Sequence, residues 1–280
     1  LWPTVEDALA FALAHQQSTG ELRWAVDPDG DPDDAALVTG SSSVAFSLAC
    51  GQRIARELGY DRPAWSRGRE RIVEAMAADA AALDLGWLDK SSYAMYWFYP
   101  VLAGVFTGDE ATARLDDRIA EFVEPGLGCR CDATEPWVTV AESAELVLAL
   151  LAAGRRDRAA EIFDWLYRWR DDAGVFWTGY QFEDDEIWPA ERPTWTTGAA
   201  LLAADAQCRH VTGAIRRQQR LERIGSVLTV GVDRGLELAD VVNSAVPLLG
   251  DGGDCFRHGT RDVHSRRCKR CSRGNDDPIG

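Results

Sequence analysis

Apolar residues recur at helical spacing along most of residues 1–208, and the interruptions mark the turns. In Trp2–Gln17, Val5, Leu9, Ala12 and Leu13 share one face and Pro3 stands in the first turn, which predicts an amphipathic helix. Gly20–Gly30 switches to alternating apolar and polar residues and ends in turn formers, as a short hairpin does. Helical spacing then returns in pairs: Ser43–Leu58 with Pro63–Ala80 after a Thr-Gly-Ser-Ser-Ser entry, Tyr93–Phe106 with Glu110–Phe122, and Val140–Ala153 with Arg156–Arg170. Asp171–Pro193 reads as a second hairpin-like loop, aromatic and acidic, before a last helix over Thr194–Cys208.

Across these pairs one helix is mostly apolar or aromatic, while its partner is amphipathic, with charges such as Arg156, Arg158, Glu161 and Asp164. Concentric rings of helices require that alternation, a buried helix inside and a half-exposed one outside. The predicted fold is therefore all-α, an (α/α)6-toroid-like barrel of helical hairpins with short β-hairpin loops. Three entries to buried helices echo one another, Leu37-Val-Thr-Gly-Ser41, Pro136-Trp-Val-Thr139 and Pro193-Thr-Trp-Thr196, as structural repeats would. Pro3 opens a helix directly after Leu1 and Trp2, so the sequence is expected to start inside a larger protein, with the barrel incomplete at its N-terminus.

Composition changes at Val211. All eleven Trp and all six Tyr precede it, and residues 1–210 carry a net charge of −18 against +3 for residues 211–280. Residues 1–210 are accordingly read as a partial toroid, and 211–280 as a tail of unassigned fold, with disorder as one reading of it. The acidic body argues against a nucleic-acid partner, since phosphate binding needs a concentrated basic face. No apolar run reaches the roughly 20 residues of a membrane span, and no cationic leader precedes an apolar stretch, so no membrane partner and a cytoplasmic location are expected. Seven cysteines without framework spacing in the body fit reduced thiols.

Several familiar chemistries are absent or poorly set. Gly-x-Gly-x-x-Gly, P-loop and Gly-x-Ser-x-Gly signatures are missing, and His15 is the one histidine in residues 1–208, so neither a nucleotide cofactor nor a Ser-His-acid triad is expected. Asp31-Pro-Asp-Asp34 has the spelling of the acid motif in squalene–hopene-type cyclases but sits among prolines and glycines, where turn formation accounts for it. In the tail, Cys268-Lys-Arg-Cys271 has zinc half-site spacing and Cys255-Phe-Arg-His258 could form the other half. Apolar residues to build a knuckle around them are nearly absent, so no metal is expected.

What remains is aromatic and acidic. Pro136–Gly154 begins with Trp137 and the carboxylates of Glu142 and Glu145, then runs apolar until Gly154. Thr139 and Glu142 have capping-box spacing, so two readings of Glu142 stand: a cap of its own helix, or a catalytic carboxylate. Rings crowd the stretch from Lys90 through Tyr96 and Trp97, and four carboxylates including Glu183 and Asp184 lie between Trp177, Tyr180 and the residues leading to Trp195. Rings stack on the apolar faces of sugars, and carboxylates bond hydroxyls and act at glycosidic bonds, so these residues are candidates for binding carbohydrate. Core packing is the competing reading for every ring among them.

Leu37-Val-Thr-Gly-Ser-Ser-Ser, Asp89-Lys-Ser…Trp97-Phe-Tyr-Pro, Glu124-Pro-Gly-Leu-Gly-Cys-Arg-Cys131, Pro136-Trp-Val-Thr-Val-Ala-Glu142 and Trp177-Thr-Gly-Tyr180…Thr194-Trp-Thr resemble a group of actinobacterial (α/α)-barrel proteins. The group is described as prenyltransferase-like or terpene-cyclase-like, and it includes a mycobacterial methylmannose polysaccharide hydrolase of endo-α-mannosidase activity. The likeness runs from residue 1 to about 209, and departs from the group at Tyr96, where an Asp is usual. It implies a glycoside hydrolase acting on an α-mannan-like polysaccharide, with Glu142 as a catalytic carboxylate and Lys90, Tyr96, Trp97, Trp137, Trp177, Tyr180, Glu183, Asp184 and Trp195 along the substrate path. A polyprenyl-binding cyclase or prenyltransferase and a non-catalytic carbohydrate-binding toroid are the alternatives.

Overall fold

The computed structural model describes residues 1–26, 29, 32–33, 35–79, 83 and 89–209. The tail with its zinc-like spacing and most of the acidic turn at 27–34 lie outside the described residues. Leu1–His210 form one compact unit. Its helices are α1 (Trp2–Ala14), α2 (Val38–Glu57), α3 (Pro63–Asp79), α4 (Ala94–Leu102), α5 (Gly108–Phe122), α6 (Val140–Ala152) and α7 (Arg156–Trp165). An eighth, α8, covers 194–209. Among the described residues no helix is long and apolar enough to cross a membrane, and no group of three His, Cys, Asp or Glu could hold a metal ion.

The helices form two rows. α2, α4 and α6 contact one another in succession, while α3 packs on α2, α5 on α4 and α7 on α6. The sequence explains the division: α4 and α6 bury most of their positions, whereas α7 buries only Ala159 and Ile162 and turns its charges outward. One hydrophobic cluster lies under α4 to α7 and a second under α1 to α3, with Tyr99 and Phe106 packed against both. The Tyr99 and Ser43 hydroxyls, 3.0 Å apart, tie α4 to α2.

Three boundaries differ most from those read in the sequence. The Thr-Gly-Ser-Ser-Ser run lies inside α2 rather than before it, because its hydroxyls find partners there: the Ser42 hydroxyl donates to Val38 O at 2.7 Å and Ser41 accepts from the Leu22 N–H. Small residues also suit the close packing of α2, where a Cβ on Gly51 would stand 2.3 Å from Leu9. The helix expected over 156–170 ends at Trp165 and tightens into a 3-10 turn, Leu166–Trp169, where the Trp169 indole N–H donates to Leu127 O at 2.7 Å. α4 stops at Leu102, and Pro100 inside it leaves its carbonyl to the N–H groups of Val105 and Phe106.

The larger departure is a five-stranded antiparallel sheet where only hairpin loops were expected. In order it holds β3 (Val123–Glu124), β4 (Gly128–Arg130), β5 (Trp137–Thr139), β6 (Gly179–Gln181) and β7 (Glu186–Ile187); β1 (Ala25–Val26) and β2 (Pro32–Asp33) pair separately. The β3–β4 turn is written locally: the Leu127 N–H returns to Glu124 O across Pro125 and Gly126, whose φ of 76° is the left-handed value a type II turn demands. Pairing of β5 with β6 is not local, since α6, α7 and the 3-10 turn intervene.

A repeat underlies this arrangement. After α1, the Gly20 N–H donates to Gln17 O, Gln17 N–H to Glu21 O and Arg23 N–H to His15 O; after the 3-10 turn, Gly174, Asp171 and Trp177 make the same three bonds to Asp171, Val175 and Trp169. In each copy a two-stranded hairpin and then a helix follow.

Candidate active site

β5 runs without a break into α6, and the alternation of side chains along the sheet decides what faces the site. Trp137 pairs with Gln181 and Gln181 with Glu186, so these three share a face. Cys131, just past β4, joins them by donating its N–H to Trp137 O at 3.2 Å. Together with Tyr93, Asp132, Glu135, Asp184 and Trp188 they line a cleft of about 490 Å³. The opposite face carries Val138, Tyr180 and Ile187, packed against the larger core cluster.

Two tryptophans form the cleft's corner. The Trp137 and Trp188 rings meet edge to face, 5.0 Å between centroids, and the Trp137 indole N–H donates to Trp188 O at 2.7 Å. Gly179 makes room for that indole: a Cβ there would lie 2.6 Å from Trp137 Nε1 and 2.5 Å from Val138 O. Trp188 is half exposed, and its peptide bond to Pro189 is cis. Asp132 is held by the Thr134 N–H and hydroxyl and by the Ser92 hydroxyl. Partial burial works to raise its carboxyl, but those bonds outweigh it and keep the carboxyl below its usual value.

Behind Cys131 and Thr139 lies the first turn of α6. The Cys131 S–H donates to Glu142 Oε1 at 3.6 Å, and the Thr139 hydroxyl donates to Glu142 Oε2. The capping box is therefore not made. Thr139 is the N-cap residue, yet its hydroxyl bonds the carboxylate and no side chain caps a backbone N–H. The reason lies in the sheet, which holds Thr139 as the last residue of a strand, while Ser143 donates to Thr139 O and accepts from the Cys129 N–H at 2.7 Å.

One turn further along α6, Glu145 is half buried. Burial first, and then the negative charge of Glu142, push it from its ordinary 4.5 up to about 7. A carboxyl that holds its proton more tightly folded than unfolded stabilises the fold below its unfolded value, and that contribution fades as pH rises through about 7. At about 1.4 kcal/mol for each pH unit, on the order of 3 kcal/mol is lost from one end of that window to the other. Glu145→Gln should thus flatten the fall in urea midpoint between acidic and neutral pH and should be more stable than the parent above the window. A parallel fall in the variant would refute the assignment.

The other residues singled out in the sequence scatter. Asp184 reaches the cleft, its N–H donating to Gln181 Oε1 at 2.7 Å, while Glu183 is exposed beside it and outside the lining. Tyr180 faces away, stacked 4.4 Å from Trp169, with its hydroxyl donated to Asp185. Trp177 lies under the Arg192 guanidinium. Lys90 sits over Tyr93, one ring removed from the cleft. Trp195 projects from α8, 69% exposed. Tyr96 and Trp97 belong to the core: Trp97 is 1% exposed, stacked on Phe122, with its indole N–H donated to Arg114 O. Sequence reasoning passed over Tyr93, Cys131, Asp132, Glu135, Gln181 and Trp188 as site residues, and marked Glu186 only as one of a run of four carboxylates. For Glu186 and Trp188 the signal was the alternation in step with Trp137, which only the pairing of β5 with β6 makes readable.

No known family model matches the chain. It is 41% identical over 213 residues to the MMP endo-(1,4)-3-O-methyl-alpha-D-mannosidase of Mycolicibacterium hassiacum, a match covering 76% of this chain and 58% of that protein. The chain thus spans under two thirds of this relative's length. Two solved structures are similar in fold, both inactive variants of the α-1,6-mannanase GH76A of Salegentibacter sp. HEL1_6 with two aspartates replaced, one with α-1,6-mannotetrose and one with α-1,6-mannotriose. Each has a TM-score of 0.55 at 14% identity, over 76% of this chain and 66% of the other. At that identity the likeness speaks for the fold alone.

Proposed function

We propose that this chain forms the substrate cleft and part of the catalytic apparatus of a glycoside hydrolase that cleaves an α-mannan-like polysaccharide of the methylmannose type, within an (α/α) barrel. The observation that carries the reading is the placing of Glu142 and Glu145 on the first turns of α6, directly behind a cleft with two tryptophans at its corner and carboxylates around it. Trp137 and Trp188 would stack on the apolar faces of pyranose rings. Gln181, Glu135, Asp184 and Glu186 would bond hydroxyls. Glu142 would act at the glycosidic bond, as proton donor or as base, and Glu145, which holds its proton on the acid side of about pH 7, would there keep a second negative charge away from it. The sequence likeness to a mannosidase supports the substrate class.

Titration reads this directly. Mannotriose or mannotetraose should quench tryptophan fluorescence saturably, and Trp188→Ala should weaken binding about tenfold, the loss of one stacking ring. Saturable binding of farnesyl diphosphate, with or without Mg²⁺, in place of the oligosaccharides would overturn the reading in favour of a polyprenyl site.

A further inference from the structure

Cys131 lines the cleft and touches Glu142, and its position is fixed independently of its thiol. Its N–H is donated to Trp137 O, and its carbonyl accepts the Ala94 N–H at 2.9 Å, so the residue is pinned to β5 on one side and to the start of α4 on the other. The side chain lines the cleft and reaches the carboxylate behind it. Glu142 thereby has each oxygen taken by one side-chain donor, from two neighbouring strands: Oε1 by Cys131 after β4 and Oε2 by Thr139 at the end of β5. A single donor would leave the carboxylate free to rotate about its last torsion; two donors fix its plane.

We propose that Cys131 is a positioning residue for Glu142, its S–H holding Oε1 so that the carboxylate keeps the orientation in which it meets a sugar seated in the cleft. The inference rests on the catalytic role of Glu142 given above. The charged and titratable groups around the pair are Glu145 on α6, Cys129 on β4 and Asp132 beside Cys131. Burial, and then the Glu142 charge, push the Cys131 thiol up to about 12, so it remains S–H, and a donor, throughout the neutral range.

The test compares Cys131→Ala, which removes the donor, with Cys131→Ser, which keeps one. Removing a hydrogen bond to a charged group should lower kcat about tenfold. KM for a manno-oligosaccharide should stay near the parent value, because Trp137 and Trp188 are untouched, and the serine variant should recover most of kcat. An infrared S–H stretching band, assigned by its loss in Cys131→Ala, should move in Glu142→Gln, which reports the bond without relying on turnover. Parental kcat in Cys131→Ala, alongside an inactive Glu142→Gln, would overturn this inference and leave the proposed function standing. Full activity in Glu142→Gln would instead remove the proposed catalytic role and this inference with it. An S–H band indifferent to Glu142→Gln would refute the bond itself.

Discussion

Glu142→Gln should cut the rate of manno-oligosaccharide hydrolysis by about 10²–10⁴-fold, the usual cost of losing an acid–base group, while the protein melts close to the parent temperature. The amide is nearly isosteric: its oxygen can still accept from Cys131 and its NH2 can donate to the Thr139 hydroxyl oxygen, so both positions keep a partner. The cap reading predicts the reverse, an unchanged rate and a loss of about 1 kcal/mol of stability. The absence of any side-chain bond to a backbone N–H at the start of α6 already removes the interaction on which that cost would depend. Kinetics and calorimetry on one variant therefore separate the two.

Trp97→Ala should cost about 3–5 kcal/mol, a large part of the 5–15 kcal/mol that holds a domain together, and should appear as a drop in urea midpoint at constant slope. The ring is buried against Phe122 at 5.3 Å, nearly parallel. Its loss would leave a void in the larger cluster, and Arg114 O would lose the indole N–H donor. Arg114 would keep its own bonds to the carbonyls of Trp97 and Tyr96, so α4 and α5 would remain tied at that point. Trp97→Phe keeps a six-membered ring against Phe122 but loses the N–H and the pyrrole half, and should cost roughly 1–3 kcal/mol, less than the alanine. A Trp97→Ala protein with an unchanged midpoint but weaker oligosaccharide binding would return this residue to the substrate path.

Both experiments turn on a distinction that local sequence does not carry. Trp97 and Trp137 each stand among rings and small residues, and composition marks both equally as stacking platforms. Trp97 follows the start of a helix whose sides are nearly all covered, whereas Trp137 occupies a strand with one covered face and one open face. Tyr180 lies on the covered side of the sheet for a related reason. It pairs with Val138, so a shift of one residue from Gln181 turns it to the core side of the sheet.

The sequence by itself determined the elements that depend on neighbours close in the chain. Helical spacing located α1, α3, α5, α6 and α7 to within a few residues at their starts, and the alternation of apolar with amphipathic helices anticipated the two rows. The Pro125–Gly126 turn can be explained from two residues, since proline presets one dihedral angle and glycine permits the next. Tertiary structure alone decided the sheet, because β5 and β6 are short strands separated by two helices and neither has a pattern long enough to announce its partner. It also decided the surroundings of Glu142. Spacing along one helix suggests a bond between Thr139 and Glu142, but it cannot supply Cys131, which arrives from another strand. A buried carboxyl such as Glu145 takes its proton affinity from what surrounds it, and those surroundings exist only once the chain has folded.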